Sequence, residues 1–347
     1  MFSFNFKEDD IETNATESNG EMTECEKSET QGVSIEPKLH DLKTLLETLP
    51  SKVSYSTIEI PKADGAPVLI PRRELFDIKA QLMAEDQTLN QSIVAGLSAD
   101  DILPSVYEGG FKTWECSLDL AQYLSEVYCG KKLSDEAVRH IIEVGAGTSL
   151  PTLVLFSHFF KNSHQRKHPI HLWIADYNIS VLEACVMPNL VLTWHLAHFE
   201  AVAPREGDLE ITSNLISSFL EDISDKSICI HGISGAWGDA FCQILDPLID
   251  PYHLENMDIM FLASETIYSP SSIRSFVRVL SRVLRATRSA EGTTKALIAA
   301  KRIYFGVGGG VDEFLKILEE SHGSANSVWE SKGTGVGRVI LEVVMNS

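Results

Sequence analysis

The stretch on which the fold depends reads Glu143-Val144-Gly145-Ala146-Gly147-Thr148-Ser149, and it directly follows an apolar run that begins at Val138. An apolar run of this length predicts a buried strand. The two glycines at its end can adopt backbone angles that other residues avoid, so the chain can pass close to a ligand there. The acidic Glu143 disfavours a phosphate and suits a ligand that carries an ammonium group and hydroxyls. A dinucleotide-binding loop would carry a third glycine where Leu150 stands, which weakens a nicotinamide interpretation.

Around this stretch, from Pro104 onwards, strands alternate with helices, and the alternation is typical of an open, Rossmann-like α/β sheet. Seven strands are predicted, at residues 138–144, 170–176, 227–233, 257–264, 295–302, 326–331 and 337–345. Helices are predicted at residues 115–128, 149–160, 178–187, 238–248, 270–287 and 311–320. The last two strands follow each other without an intervening helix. The predicted fold class is therefore α/β, with a doubly wound sheet of seven strands.

The chain before this domain divides into two predicted segments. Residues 1–36 are acidic, rich in Glu, Ser and Thr, and lack apolar periodicity, so we expect disorder there. Residues 37–105 form an N-terminal extension that we expect to pack on the core domain, which spans residues 106–347. Within the extension, helices are predicted at residues 40–49 and 74–84, with two short extended pieces between them and breaks at Pro61, Pro67 and Pro71.

Composition limits the classes of function. The 347 residues carry a formal net charge of −20, which argues against a general nucleic-acid binder and suits a basic protein partner. Neither a membrane-spanning apolar run nor a secretory signal is evident, so we expect no association with a membrane. The six cysteines show no paired spacing and are interpreted as reduced thiols, so we expect a location in the cytoplasm and nucleus.

Ligands of such sheets bind beyond the carboxyl ends of the strands, and the second and third predicted strands end in suitable residues. The second strand ends at Asp176, whose carboxylate can accept hydrogen bonds from both hydroxyls of a ribose. A helix amino-terminal cap is the alternative role for Asp176 or Asn178. After the third strand, the glycine in residues 235–237 lets the backbone approach an adenine edge, and Trp237 can cover the ring. The alternative is that Trp237 is a core residue beside a turn.

The fourth and fifth predicted strands complete this edge of the sheet. Ser264 and Glu265 emerge from an apolar strand where the reactive part of a ligand would be presented, and Tyr268 follows on the next turn. Residues 304–310 follow the fifth strand, and their glycines either admit a substrate loop or form a flexible turn. The histidines at positions 158, 164, 168 and 171 lack metal-ligand spacing, so we interpret them as part of a solvated loop and expect no metal.

These motifs together resemble one family. The acidic residue and glycine loop are similar to the nucleoside-binding loop of S-adenosylmethionine (SAM) methyltransferases. The E-x-x-Y spacing of Glu265 and Tyr268 is similar to a motif of methyltransferases that modify protein side chains. Within that group, the chain resembles the protein-histidine methyltransferases that act on a ribosomal protein of the large subunit. The matching segments are residues 2–6, 73–77, 107–117, 143–151, 176–178, 188–190, 234–238, 264–268 and 301–310, with Ser149 standing where many methyltransferases carry a third glycine.

The resemblance implies a seven-stranded SAM methyltransferase fold with SAM as cofactor. The residues that it implies for cofactor binding are Thr113, Trp114, Glu115, Cys116, Ser117, Glu143, Gly145, Gly147, Asp176, Tyr177, Asn178, Gly235, Ala236, Trp237 and Ser264. Trp114 would lie near the sulfonium through cation–π attraction, and Glu115 would hold the α-ammonium group. From their place after the fourth strand, Glu265 is the candidate to stabilise a methylated imidazolium, and Tyr268 the candidate to orient the ring.

The predicted activity is methyl transfer to a histidine ring nitrogen, and a neutral imidazole requires no strong base. The resemblance implies the tele nitrogen, distal to the backbone, and a large-subunit ribosomal protein as substrate, with an influence on ribosome assembly or translation. Two alternatives stay open: a lysine acceptor, and a SAM-binding ribosome-assembly factor without catalysis. We expect a monomer that does not contact DNA. Arginines at 274, 278, 282, 285 and 288 form either a solvated helix face or a patch for RNA.

Overall fold

The computed structural model describes residues 35–62, 65, 67–84, 109–129, 137–162, 167–198, 204–248, 257–286, 293–332 and 335–346. The predicted acidic segment at residues 1–36 therefore lies outside the described residues except for its last two positions. The motif at residues 2–6, the end of the predicted extension, and the motif residues Tyr107 and Glu108 also lie outside them.

A mostly parallel sheet of eight strands forms the centre of the described structure. The described strands are, in chain order, β1 (Lys38–His40), β2 (Lys52–Ile60), β3 (Val68–Arg73), β4 (Val138–Val144), β5 (Ile170–Asp176), β6 (Glu206–Glu210), β7 (Ile228–Ser234), β8 (Met257–Ser264), β9 (Thr294–Lys301), β10 (Gly323–Glu330) and β11 (Arg338–Met345). The order across the large sheet is β1-β7-β5-β4-β8-β9-β11-β10, and β3-β2-β6 form a second, antiparallel sheet.

The carboxyl ends of five parallel strands meet at one edge of the large sheet, which we call the carboxyl edge. The register pairs Val144 with Ala175 and with Ala263, and it pairs Asp176 with Ser234. The residues that follow β4, β5, β7 and β8 therefore start side by side. The chain leaves β4 towards β5 and β7 on one side and returns to β8 on the other, which opens the crevice where such sheets bind ligands.

All seven predicted strands are present, with ends within three residues of the predicted ones. The eighth, β1, was not predicted, because Lys38-Leu39-His40 is too short to show an apolar alternation. It forms by antiparallel pairing with β7, where Lys38 lies opposite Ser234 and His40 opposite Gly232. The fold class is confirmed as α/β, but the large sheet has eight strands rather than seven.

Helices cover both faces of the large sheet. The described helices are α1 (Leu42–Glu47), α2 (Leu75–Ala84), α3 (Glu115–Val127), α4 (Leu150–Lys161), α5 (Ile179–Ala197), α6 (Ser213–Asp225), α7 (Asp239–Leu245), α8 (Pro270–Ala286) and α9 (Val311–Glu320). The predicted helix ends at residue 187, directly before Pro188, and a proline inside a helix removes a backbone hydrogen bond. A π-helical turn at Leu182–Val186 accommodates that proline, and the helix continues to Ala197.

Helix α5, whose most apolar part has a mean hydropathy of 1.4, is long and apolar enough to cross a membrane by length and composition alone. That part of the helix is 78% buried inside the protein. Burial of this extent is typical of a core helix, in which every face packs against other elements. We therefore interpret α5 as a core helix.

The second sheet joins the N-terminal extension to a later part of the chain. Strand β2 pairs with β3 on one side and with β6 on the other. The predicted break at Pro71 is wrong, since Pro71 lies inside β3 opposite Thr57. Strand β3 is an edge strand, where a proline without an N–H group is tolerated. The sequence prediction missed β6, because this strand is short and polar and forms against β2. It also missed α6, although Leu215, Phe219 and Ile223 repeat there at helical spacing.

Two apolar cores lie on opposite faces of the large sheet. The first contains Ile141 and Leu172 of the sheet together with Val53 and Ile70 of the extension. The second contains Ile142 and its neighbours, packed by α7, α8 and α9. The described part of the extension thus shares an apolar core with the sheet.

Candidate active site

Glu143 is fully buried and fixes the turn that follows β4. Its Oε2 accepts a hydrogen bond from the Ser149 hydroxyl at 2.9 Å and from the Thr152 backbone N–H at 3.2 Å. Burial raises the pKa of Glu143 to about 7, against the opposing effect of these hydrogen bonds. Its second oxygen, Oε1, is buried and accepts no hydrogen bond from the described residues. The carboxyl group therefore holds its own loop with one oxygen and offers the other to a ligand.

Gly145 and Gly147 both have left-handed backbone angles, with φ of 63° and 53°. A side chain at Gly145 would meet the methyl group of Thr266 at 2.7 Å and the ring of Trp237 at 3.5 Å. A side chain at Gly147 would meet the carbonyl oxygen of Gly110 at 3.1 Å. Only glycine combines these backbone angles with so little space, so the loop brings bare backbone to the carboxyl edge.

Asp176 connects two loops at the end of β5. Its Oδ2 accepts a hydrogen bond from the Gly147 backbone N–H at 2.9 Å, and its Oδ1 accepts one from the Asn178 backbone N–H at 3.1 Å. The bond to Asn178 closes a local turn before α5, and the helix start at Asn178 has no side-chain cap hydrogen bond, so the alternative capping role is not observed. Asp176 therefore holds the loop after β4 and the start of α5 against the end of β5.

The loop after β7 lies beside Asp176, but part of it is covered. The Gly235 backbone N–H donates to the carbonyl oxygens of Asp176 and Tyr177 at 3.1 and 3.2 Å. A side chain at Gly235 would collide with Pro37, and the Ala236 backbone N–H donates to the carbonyl oxygen of Ile35. The close approach at Gly235 therefore admits the chain before β1, whereas the sequence interpretation assigned it to an adenine edge.

Trp237 and Ser264 lie at the carboxyl edge as well. Trp237 packs on Phe276 of α8, with 5.4 Å between ring centroids, and its ring also borders Gly145. It is half-buried, so it serves the second core and the edge together. Ser264 is the buried last residue of β8, paired in register with Ala299.

Glu265 lies at the centre of a polar network between α3, β8 and β9. Its side chain is 8% exposed, and its backbone φ of 56° is left-handed. Its Oε1 accepts a hydrogen bond from the Cys116 backbone N–H at 3.3 Å. The Tyr304 hydroxyl donates to the same carboxylate and accepts a hydrogen bond from the Lys301 backbone N–H at 3.2 Å. Burial, followed by the charge of Glu265, raises the pKa of the Tyr304 hydroxyl, which stays protonated as a donor.

Trp114 and Glu115, which the resemblance assigned to the methionine end of the cofactor, contact Lys301. The Lys301 Nζ lies 2.9 Å from Oε2 of Glu115 and 5.5 Å from the centroid of the Trp114 ring. Hydrogen bonding to Lys301 lowers the pKa of Glu115. The cation beside these two side chains is thus a residue of the chain itself, and sequence analysis gave that residue no role.

The other predicted residues of α3 and the segment before it border the same edge. The Thr113 hydroxyl donates to the Thr148 hydroxyl at 3.3 Å. Burial, followed by the charge of Glu265, raises the pKa of Cys116, so this thiol is not a nucleophile near neutral pH. The Ser117 hydroxyl and the Thr266 hydroxyl are buried and make no hydrogen bond to the described residues.

Tyr268, the other candidate for the acceptor side, is half-buried after β8. Its ring packs edge-to-face on Tyr304, with 6.3 Å between centroids, and its carbonyl oxygen accepts the Gly309 backbone N–H at 2.9 Å. A side chain at Gly309 would collide with this carbonyl. The loop at residues 302–310 is therefore anchored beside Tyr268.

Sequence analysis also missed a residue that connects the glycine loop after β4 to the N-terminal extension. The Asn189 side chain in α5 donates to the carbonyl oxygen of Thr148 at 3.1 Å and accepts the backbone N–H of Arg73 at 2.8 Å. The buried Arg73 guanidinium pairs with Asp77 at 2.7 Å. Pro-Asn-Leu at residues 188–190 belonged to the matching motifs, but no local pattern could have linked Asn189 to the extension.

Comparison with known proteins decides the family. No family model matches the chain. The chain is 31% identical over 337 residues to Histidine protein methyltransferase 1 of Saccharomyces cerevisiae, with 90% of this chain and 85% of that protein covered. The protein of the same name from Schizosaccharomyces pombe is 31% identical over 304 residues, with 86% and 82% covered. The chain belongs to the histidine protein methyltransferase 1 family.

A rat homolog of this family is 29% identical over 257 residues, covering 71% of this chain and 59% of the rat protein. Among solved structures, the chain is similar to magnesium protoporphyrin IX methyltransferase from Synechocystis with bound SAH, at a TM-score of 0.33 and 9% identity, with 78% and 94% covered. That structural likeness is too weak to bear on function. Family membership makes the chain a methyltransferase that acts on histidine in a protein.

Two other polar clusters of this methyltransferase have structural explanations. On α8, Arg274, Arg278 and Arg282 pair with Glu320, Asp239 and Asp246, and Arg285 donates to the carbonyl oxygen of Ser321. Arg288 lies outside the described residues. The four described arginines thus bind their own chain, which supports a solvated helix face. No cluster suited to a metal ion occurs among the residues that the structure describes.

Three histidines and a tryptophan, His140, His171, Trp173 and His231, form what we call the histidine–tryptophan stack. Their rings lie on one face of β4, β5 and β7, with 4.6 Å between the centroids of His140 and His171 and 3.7 Å between those of Trp173 and His231. Trp173 Nε1 donates to His140 Nδ1 at 3.2 Å. Burial lowers the pKa of His140 to about 3 and that of His231 to about 4, so both are neutral at physiological pH. The predicted solvated loop is thus wrong for His171, which lies in β5, and for His158, which lies in α4.

Proposed function

We propose that the chain transfers a methyl group from SAM to the tele nitrogen of a histidine in a large-subunit ribosomal protein. The observation that carries this proposal is the convergence of Glu143, the Gly145–Gly147 backbone and Asp176 with Glu265 and Tyr268 at one edge of the sheet. The first group suits a nucleoside that also carries an ammonium group. The second group supplies a buried carboxylate and a tyrosine ring beside it.

The residues at the carboxyl edge fit SAM by their unsatisfied polar atoms. Glu143 Oε1 and the hydroxyls of Ser117 and Thr266 are buried without hydrogen bonds to described residues. Buried polar atoms of this kind are costly unless a ligand or water satisfies them. Asp176 would accept the ribose hydroxyls, Glu143 would face the ammonium group, and Trp237 would border the adenine. When bound, SAM supplies an electrophilic methyl group and a good leaving group.

The acceptor pocket would lie between Glu265, Tyr268 and Tyr304. Methyl transfer requires the acceptor nitrogen in line behind the methyl group at about 3–3.5 Å, so orientation of the ring is the main demand. A histidine acceptor is mostly neutral near pH 7 and needs no strong base. The network around Glu265 suits this chemistry, because it provides a carboxylate to stabilise the imidazolium product and no free base near neutral pH.

The loop at residues 302–310 would line the entrance through which the substrate reaches the acceptor pocket. Ile303, Phe305 and Val307 point into solvent, and Phe305 is 77% exposed. Between them, Tyr304 turns inward to Glu265, and Gly309 is anchored to Tyr268. An exposed apolar surface of this kind, continuous with the acceptor pocket, is suited to contact the chain on either side of a target histidine.

The ribosomal identity of the substrate rests on the sequence resemblance and on charge. A net charge of −20 favours the encounter with a basic protein such as a ribosomal protein. The same proposal includes a role in ribosome assembly or translation and a location in the cytoplasm and nucleus. The described cysteines form no disulfides, as a reducing compartment requires.

The test is transfer of labelled methyl from SAM into ribosomal proteins from cells that lack this chain, followed by acid hydrolysis and separation of methylated amino acids. We expect tele-methylhistidine in a single ribosomal protein of the large subunit. A calorimetric titration with SAM comes first, since a chain that binds no SAM cannot perform this reaction. Label recovered as methyl-lysine would support the lysine alternative, and SAM binding without any transfer would support the non-catalytic one.

A further inference from the structure

Lys301, the last residue of β9, places a positive charge inside the proposed acceptor pocket. Its Nζ lies 2.9 Å from Glu115 Oε2 and 3.6 Å from Glu265 Oε1, and 5.5 Å from the Trp114 ring centroid. The side chain is 20% exposed. Burial by itself lowers the pKa of Lys301, but hydrogen bonding to Glu115 and the charges of both carboxylates outweigh burial and raise it. The ammonium group is therefore charged at neutral pH.

The positive charge of Lys301 weakens the attraction of Glu265 for a cationic substrate. A buried carboxylate without a cation would attract any protonated amine that entered the pocket and would raise the pKa of an imidazole beside it. The described groups around Glu265 are the Cys116 backbone and thiol, Lys301 and the Tyr304 hydroxyl, so Lys301 is its sole cationic neighbour among them. Lys301 also pairs with Glu115, while Asp119 and Arg338 pair with each other. Lys301 thus offsets one of the two negative charges of Glu115 and Glu265.

We propose that Lys301 determines the acceptor specificity of this enzyme, favouring a neutral imidazole and excluding the ammonium group of lysine. This inference rests on the proposed function, because it takes the pocket beside Glu265 and Tyr268 as the acceptor pocket. A lysine substrate would bring a second ammonium group next to Lys301, which already binds both carboxylates. A neutral imidazole carries no such penalty. Like-charge juxtaposition of this kind is a common means of rejecting a competing ligand.

Lys301 would also keep the acceptor histidine in its reactive form. A neighbouring positive charge disfavours protonation of an imidazole and so lowers its pKa in the enzyme–substrate complex. The bound ring therefore stays a nucleophile at a pH where free histidine is largely protonated. Lys301 contributes no proton transfer in this scheme and acts only through its charge.

The test compares Lys301→Met, which keeps the length of the side chain and removes its charge, with Lys301→Arg, which keeps the charge. The probe is the total ribosomal protein of cells that lack this chain, with labelled SAM, analysed after hydrolysis as methylhistidine and methyl-lysine. For Lys301→Met we expect the acid limb of kcat against pH to move up by about one pH unit. We also expect the ratio of methyl-lysine to methylhistidine to rise about tenfold or more. Lys301→Arg should keep the wild-type ratio and acid limb.

Lys301→Gln serves as a second uncharged variant, and thermal unfolding with SAM calorimetry shows whether each variant is folded and binds the cofactor. If both uncharged variants fold yet keep the wild-type ratio and acid limb, Lys301 is merely structural and the inference is overturned, while the proposed function stands. If the wild-type protein itself labels lysine, the proposed function fails and the specificity assignment fails with it. Failure of the inference would therefore be seen in the Lys301 variants, and failure of the proposed function would be seen in the wild-type protein.

Discussion

The carboxyl edge of the sheet and the histidine–tryptophan stack both gather titratable side chains from neighbouring strands, yet their physical states are opposite. At the carboxyl edge, Glu265 and Lys301 form an ion pair, and buried polar atoms such as Glu143 Oε1 have no partner among the described residues. In the stack, His140 and His231 are neutral at pH 7, and each ring stacks on His171 and on Trp173.

The backbone differs in the same way. Gly145, Gly147 and Glu265 at the carboxyl edge all have left-handed angles, whereas the stack lies on regular strands. A cluster of ionisable groups therefore does not by itself indicate a site. Retained charge, unsatisfied buried atoms and strained backbone together distinguish a region built to receive a ligand from one built to pack.

The largest expected difference between the two regions is in cofactor binding. Asp176→Asn should weaken SAM binding about 10–100-fold, because it removes a charged acceptor of about 1.5–3 kcal/mol in hydrogen bonding. The matched control is Asp222→Asn, since Asp222 also accepts two hydrogen bonds, from Trp194 and His198, but lies away from the carboxyl edge. Calorimetric titration measures both. Equal SAM affinity in wild type and Asp176→Asn would remove Asp176 from the site.

The histidine–tryptophan stack should instead affect the free energy of unfolding at acid pH. The pKa of His140 is about 3 in the folded protein, below its ordinary value of 6.5, so the neutral form is favoured by folding. This contribution to stability is fully present above pH 6.5 and is lost as the pH falls from there towards the pKa of the folded protein. The free energy of unfolding should therefore fall by about 2 kcal/mol by pH 5. His140→Asn keeps an acceptor for Trp173 and does not titrate.

Chemical denaturation at pH 7 and pH 5 measures this effect, and the variant should lose less stability than wild type between the two. The same variant should bind SAM with wild-type affinity, which separates the stack from the carboxyl edge. A drop in SAM affinity for His140→Asn would show that the two regions are coupled and would break the comparison.

Glu143 offers a further test of the difference between the two regions. It is buried like the histidines of the stack, but it lies at the carboxyl edge, where we expect the ligand to bind. With a pKa raised to about 7 by burial, it is mostly protonated at pH 6 and mostly charged at pH 8. Glu143→Gln resembles the protonated form, so its SAM affinity should be close to wild type at pH 6 and about tenfold weaker at pH 8. Titrations at the two pH values measure this gap. A gap that does not widen with pH would place the ammonium group of SAM elsewhere.

The smallest expected effect concerns the entrance loop. Phe305→Ser should raise KM for the protein substrate about 3- to 10-fold and leave kcat and SAM affinity unchanged, because a rim residue contributes about 1 kcal/mol to binding. Phe76→Ser is the matched control, since Phe76 is 65% exposed on α2. Steady-state kinetics with both variants distinguish them. If the two variants change KM equally, the loop has no special part in substrate binding.

The sequence by itself determined the seven strands of the core and their polar ends. Periodicity marks buried strands, and in a parallel sheet the carboxyl ends meet at one edge, so Glu143, Asp176 and Glu265 could be assigned to one region from spacing alone. The fold was predictable to this extent because each of these strands is apolar along its own length. Elements that lack such a local signal, β1 and β6, were missed because they exist only through pairing with β7 and β2.

Only the tertiary structure decided which partners each polar residue has. Lys301 is separated by 186 residues from Glu115 and by 36 from Glu265, and nothing in the local sequence of β9 indicates that its ammonium group lies between them. The same holds for Asn189, which connects the extension to the glycine loop, and for Gly235, whose missing side chain admits Pro37. Strand formation depends on neighbours along the chain, whereas charge compensation depends on distances in space, which the fold alone determines.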